Sequence, residues 1–198
     1  MKLADATKVN IKKVLEILEN DGIIIYPTET LYGIGARFDS QIALKKIFEI
    51  KKRPKEKSFP LIVNLKNLNL VVESIPKEAQ DLIEKFWPGP LTLLLPAKKN
   101  LPEEITKDGK VAVRMPGDSF ALRLIKESSF PITATSANLS GLPPADCIDT
   151  VVEYFKETPV DLIIDGGKLP GIPSTIVDVT VKPPKVIRKG AIELSFDR

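Results

Sequence analysis

The sequence predicts an α/β fold, with helices flanking a mixed sheet, in one domain over residues 1–198. Three observations predict it. Short β-branched and aliphatic runs alternate along the chain with segments whose apolar residues recur at helical spacing. The last two such runs, at 173–178 and 185–188, are joined by Lys182-Pro183-Pro184 with no helix between them, which makes the sheet mixed rather than wholly parallel. The 198 residues suffice for a full core, and no internal repeat or low-complexity linker divides them.

The elements follow in order. Over residues 7–20, Val9, Ile11, Val14, Leu15, Ile17 and Leu18 form the inner face of an amphipathic helix, with Lys12, Lys13 and Glu16 outside. Asp21-Gly22 ends it. Residues 22–26 are a β-branched run that reads as a buried strand. It empties into Pro27-Thr28-Glu29-Thr30, followed by Leu31-Tyr32-Gly33-Ile34-Gly35. Two readings fit: a binding loop at a strand end, or a turn whose hydroxyls bond their own backbone. Asp39-Ser40 supplies an N-cap for the next helix, which carries Ile42, Ala43, Leu44, Ile47, Phe48 and Ile50 inward.

Residues 59–63 read as a strand and 74–86 as a helix with Pro76 near its start. Trp87 reads as a core anchor beside a rigid proline turn, and 91–96 as a strand. The long polar loop 98–109 is the candidate for mobility. In the strand 110–114, alternation puts Lys110, Ala112 and Arg114 on one face and Val111 and Val113 on the other. Met115-Pro116 places Arg114 at the strand end, which favours a site role over a solvated edge. A helix at 119–128 precedes a strand at 131–135. That strand empties into Ser136, Asn138 and Ser140, groups suited to a nucleotide or to capping a turn. A helix at 149–157 and a strand at 160–165 complete the alternation.

Histidine is absent, which removes Ser-His-Asp and Cys-His nucleophile systems and histidine-rich metal sites. The single cysteine, Cys147, excludes an internal disulfide. The N-terminus lacks an apolar signal segment, and no apolar run approaches the length of a membrane span, so the expected setting is the cytoplasm, away from membranes. A net charge of +3 is too mild to argue for nucleic acid. Charge is concentrated at 51–57, where Lys51, Lys52, Arg53, Lys55 and Lys57 surround Glu56, and Pro54 stops the preceding helix. Such a turn suits a phosphate chain, but from this stretch alone a solvated surface loop is the favoured reading.

Taken together, these motifs resemble one family. They are Tyr26-Pro27-Thr28-Glu29-Thr30-Leu31-Tyr32-Gly33-Ile34-Gly35, Lys51-x-Arg53, Ser136-x-Asn138, and Ser174-Thr175-Ile176-Val177-Asp178 followed by Arg188. Phe86-Trp87-Pro88-Gly89-Pro90-Leu91-Thr92 and Val111-Ala112-Val113-Arg114-Met115-Pro116 match as well. The chain resembles the YrdC-like family of threonylcarbamoyl-AMP synthases over nearly its whole length, in the short form. The resemblance implies a twisted sheet curled around a basic cavity. It implies conversion of L-threonine, bicarbonate and ATP, with Mg²⁺ on the triphosphate, to threonylcarbamoyl-AMP and pyrophosphate. The product would feed a tRNA-modifying threonylcarbamoyl transferase complex, for tRNAs that read codons beginning with A.

The resemblance also implies site residues. Thr30, Arg114, Ala134 and Ser174 match threonine positions. Arg53, Lys57, Ser136 and Arg188 match ATP positions, and Lys51 and Asn138 complete the two paired motifs assigned to catalysis. Asn64 stands where many relatives have a histidine that touches threonine. Lys110 stands at an ATP position where a small hydroxyl residue is common, and Pro144 at one where a small polar residue is common. No metal ligand is expected from protein side chains. Two other functions fit the same motifs: a module of this fold that binds double-stranded RNA or tRNA without making the adenylate, and an enzyme with another carbamoyl acceptor. A weak contact with tRNA or double-stranded RNA is compatible with the synthase too.

Overall fold

The computed structural model describes residues 2–51 and 58–196. Arg53 and Lys57 lie outside the described residues. In chain order the elements begin β1 (Lys2–Asp5), α1 (Ile11–Glu19), β2 (Ile24–Pro27), β3 (Tyr32–Gly35), α2 (Gln41–Lys51) and β4 (Leu61–Ile62). They continue with α3 (Lys77–Phe86), β5 (Leu91–Pro96), β6 (Thr106–Lys107), β7 (Lys110–Arg114), α4 (Phe120–Glu127), β8 (Ile132–Thr133) and β9 (Thr135–Ser136). The last are α5 (Ile148–Phe155), β10 (Leu162–Asp165), β11 (Thr175–Asp178) and β12 (Lys185–Arg188).

The expected mixed sheet is two sheets. One has the order β1-β10-β2-β3-β9, with β1, β10 and β2 parallel and β3 and β9 antiparallel to their neighbours. The other runs β12-β11-β5-β7-β4-β8, with β6 paired on β7. Residues 131–135, expected to be one strand, are divided between them. β8 pairs with β4 in the larger sheet, and β9 pairs with β3 in the smaller. The changeover is Ala134, whose amide donates to Pro60 O at 2.8 Å. On either side, Thr133 N donates to Ala36 O and Ala137 N to Tyr32 O. This short crossover stitches the two sheets together.

Buried side chains explain the register of β2 and β3. Tyr26 is fully buried, and its hydroxyl donates to Thr133 O at 2.8 Å. Its ring lies over β3, where a Cβ at Gly35 would sit 2.7 Å from Tyr26 Cε1. Gly35 therefore makes room for an aromatic ring that ties β2 to the crossover. α1 and α4 pack on β2. Their starts are fixed by side-chain caps, Asn10 to Lys12 N and Ser119 to Leu122 N. α1 begins at Ile11 rather than residue 7 because Asp5 holds residue 7 in a turn, accepting from both its amide and its hydroxyl. α3 begins after Pro76, which is its N-cap.

Segment 98–109, expected to be a mobile polar loop, is tied down. It contains β6, and Asp108-Gly109 closes a hairpin onto β7 with both residues at positive φ, 51° and 71°. Ile105 is fully buried, and Phe59 N donates to Glu104 O at 2.7 Å. Among the described residues no helix is long and apolar enough to cross a membrane.

Candidate active site

A cavity of about 950 Å³ opens where the two sheets meet. Its wall is built largely from strand ends: the turn after β2, the end of β7, the crossover at Ala134, and the residue before β11. Of the residues implied by the resemblance, Thr30, Arg114, Ala134, Ser136, Pro144, Ser174 and Arg188 line it. The remaining charged lining among the described residues is Lys107 and Asp146, neither of which was read from the sequence.

Arg114 is buried, and it is fixed from one side. Its Nη1 donates to Thr30 Oγ1 at 3.2 Å. Thr28 Oγ1 gives its only proton to Leu31 O at 2.7 Å, so in the 2.9 Å contact between the two threonine hydroxyls the donor is Thr30. The order is Arg114 to Thr30 to Thr28 to Leu31 O, a relay that also consumes the backbone of the turn. The Thr28-Glu29-Thr30 stretch is thus both the turn that binds its own backbone and part of the cavity wall. Arg114 Nε and Nη2 have no hydrogen-bond partner among the described residues, and this side chain lines the cavity. Its free edge suits a planar carboxylate.

Facing it, Arg188 donates through Nε and Nη2 to Ser174 O, at 3.1 and 2.8 Å, and through Nη2 to Ser174 Oγ at 3.1 Å. Ser174 Oγ also lies 2.8 Å from Thr92 Oγ1. Burial lowers the pKa of Arg188, and the charge of Arg114 lowers it further. Two guanidinium groups that oppose each other in a partly dry cavity favour an anion between them. The C-terminal segment sets this corner: Ala191 N donates to Pro173 O at 2.9 Å, and Gly190 packs directly on Pro173 and Ser174. Tyr32 also lines the cavity, and burial pushes its hydroxyl up to about 12.

Lys51, Ser136 and Asn138 come together, but not with the lysine on the wall. The Lys51 ammonium is 4% exposed and donates to Ser136 O, Asn138 O and Asn138 Oδ1. Asn138 Oδ1 also accepts from Ser136 Oγ at 2.8 Å, and Lys51 O accepts from Ser140 N. Lys51 joins the end of α2 to the loop after β9, and Ser136 is the member of this trio that reaches the cavity.

Two expected contacts are not in the wall. Asn64 spends both amide hydrogens on Ile125 O and Ser128 O at the end of α4, and its Oδ1 accepts from Lys66 N and Asn67 N. That exhausts its hydrogen-bonding capacity. Lys110 shares the face of Ala112 and Arg114 as expected, but its ammonium pairs with Asp178 at 2.7 Å. Burial works against the Asp178 charge, yet hydrogen bonds from Lys110 and Thr180 hold the carboxyl below its ordinary value. Among the described residues no group of three His, Cys, Asp or Glu side chains is placed to hold a metal.

A family model of the Sua5, YciO and YrdC proteins, described as "Telomere recombination", matches residues 16–190. The chain belongs to this Sua5/YciO/YrdC family. One relative is the threonylcarbamoyl-AMP synthase of Pyrococcus abyssi, 43% identical over 177 residues. The alignment covers 87% of this chain and 51% of that protein. A putative threonylcarbamoyl-AMP synthase of Methanocaldococcus jannaschii is 35% identical over 201 residues, which covers 98% of this chain and 94% of that one. The family domain is thus about half of the first relative and nearly all of the second. The crystal structure of P. abyssi Sua5 complexed with L-threonine superposes with a TM-score of 0.87 at 38% identity, over 96% of this chain and 57% of that one. The two-sheet architecture is that of Sua5/YciO/YrdC structures.

Proposed function

We propose that this protein makes threonylcarbamoyl-AMP from L-threonine, bicarbonate and ATP, with release of pyrophosphate. The observation that carries the proposal is Arg114. Thr30 fixes one edge of its guanidinium, and its free donors belong to a cavity that also holds Ser174 and Arg188. Synthase names among the relatives, and a family structure solved with L-threonine, support the same reading.

In this proposal Arg114 takes the threonine carboxylate bidentately, with Thr30, Ala134 and Ser174 around the rest of the amino acid. Arg188, Ser136 and Pro144 border the nucleotide. Arg53 and Lys57 are assigned to ATP on the resemblance alone. The threonine amine must be neutral to take up bicarbonate carbon, and neighbouring cations disfavour its ammonium form. The carbamate then attacks the α-phosphate. The same cations offset repulsion between two anionic reactants and stabilise the charge that develops on pyrophosphate. The described wall carries a single carboxylate, Asp146, which is paired with Lys168 at 2.7 Å. Mg²⁺ therefore fits best as part of the ATP complex, coordinated by phosphate and water. No histidine base or side-chain nucleophile is required. The product would pass in the cytoplasm to a threonylcarbamoyl transferase complex acting on tRNA.

The test is incubation of the protein with ATP, Mg²⁺, bicarbonate and labelled threonine. An adenylate and pyrophosphate that require both threonine and bicarbonate are expected. RNA binding without such a product would transfer the assignment to a binding module. An Arg53→Ala variant is expected to lose ATP turnover, and wild-type turnover would remove Arg53 from the phosphate site.

A further inference from the structure

Glu29 has no role in the chemistry above and is not itself a lining residue, yet it lies just behind the wall, between Thr28 and Thr30, both of which line the cavity. Both of its carboxylate oxygens are buried and have no hydrogen-bond partner among the described residues. Arg114 Nη1 is 3.3 Å from Oε1, close enough for ion pairing, but the geometry makes no hydrogen bond. The side chain also packs on Gly117, where a Cβ would come within 3.2 Å of Glu29 Cγ. A buried carboxylate with an ion pair but no hydrogen-bond donor is costly, and a bound ligand or a water would complete it.

We infer that Glu29, from just behind the wall, makes the amino-acid end of the cavity selective for a zwitterion, its charge favouring the ammonium while Arg114 takes the carboxylate. The inference rests on the proposed use of an amino acid at Arg114. The juxtaposed, incompletely bonded charges complement a molecule that carries both charges on groups attached to one carbon. Arg114 alone would bind any carboxylate, and the two guanidinium groups alone would repel an ammonium. Glu29 offsets part of that repulsion while threonine binds, and the ammonium then gives a proton to water before the neutral amine takes up carbon.

The experiment titrates wild type and Glu29→Gln with L-threonine and with 2,3-dihydroxybutanoate, in which hydroxyl replaces the amine. Wild type should prefer threonine. Glu29→Gln should bind threonine about tenfold more weakly, the scale of losing an opposite charge close behind a partly buried site, while its affinity for the dihydroxy acid holds or rises. A residue that only holds Arg114 in place would weaken both ligands equally, and that outcome overturns the inference, as does unchanged threonine affinity. Should the variant not fold, equal wild-type affinity for the two ligands overturns it. Wild type that binds neither ligand would instead refute the proposed function, and this inference with it.

Discussion

Replacing Lys51 by methionine keeps most of the aliphatic stem and removes the ammonium. The structure sets the size of the effect. Three acceptors lose a charged donor in a site where the lysine is 4% exposed: Ser136 O, Asn138 O and Asn138 Oδ1. Hydrogen bonds from charged groups are worth about 1.5–3 kcal/mol each, but three on one ammonium do not add. Relief from burying the charge offsets part of the loss. A net cost of about 3–5 kcal/mol is expected, by analogy with breaking a buried charged network. In a chain of this size that lowers the melting temperature by about 6–20 °C. The assay is a thermal melt beside ATP binding. A phosphate-binding lysine would behave in the opposite way, since taking a cation from an anion site relieves repulsion in the free protein. Lys51→Met that melts within about 2 °C of wild type but no longer binds ATP would refute the structural account.

Three further predictions concern other parts of the cavity. Gly190→Ala would drive a methyl group into the backbone of Pro173 and Ser174, whose carbonyl carbon is 2.5 Å from the added Cβ; a loss of about 1–3 kcal/mol is expected, with weaker ligand binding, read by thermal melt and calorimetry. Arg114→Lys should bind threonine at least about tenfold more weakly, because a point charge cannot replace the planar fork, and calorimetry with threonine checks it. Asp178 has a depressed carboxyl pKa, so its contribution to stability is complete above its unfolded value of 3.8 and is lost as pH falls through the lower folded value. Asp178→Asn should therefore be less stable than wild type in urea at pH 7, with the gap closing as pH falls below the unfolded value of 3.8 and through the lower folded value; a gap independent of pH would rule out the charge as its source.

The helices were legible because apolar spacing and caps agree, as at Ser119 and Ser40. Burial of Val111 and Val113 opposite Arg114 was legible for the same reason, since a strand has only two faces. β1 was not legible. Its side chains are mostly exposed and polar, and only its pairing with β10 makes it a strand. β3 was hidden by its two glycines, which lower strand propensity, although Gly35 is required by the Tyr26 ring. The division at Ala134 was invisible because local sequence cannot report a change of hydrogen-bonding partner. Among site residues, Arg114, Ser174 and Arg188 were accessible through motif and strand-end placement. Lys107 lay in a segment read as a loop. Asp146 lay in an irregular stretch with no periodic signal.

The polar residues near this cavity divide by whether their hydrogen bonds close within the protein. Asn64 is closed on all four of its capacities, and Lys110 is engaged by Asp178. Lys51 is engaged by the loop that carries Ser136. These groups resemble site residues in sequence because a polar side chain that anchors a wall needs the same chemistry as one that binds a ligand. Arg114 and Glu29 are different: Arg114 and both Glu29 carboxylate oxygens are buried, each side chain touches the other, and each keeps unused capacity. A fold tolerates buried charge with open valences only where a bound molecule completes it, because otherwise the desolvation cost has no return. The pair sits where β2 and β7, from different sheets, end beside one another, so neither sheet supplies the missing partners. Unsatisfied charge therefore marks the proposed amino-acid end of the cavity better than charge alone does, and on that criterion the mark is Arg114, with Glu29 just behind it.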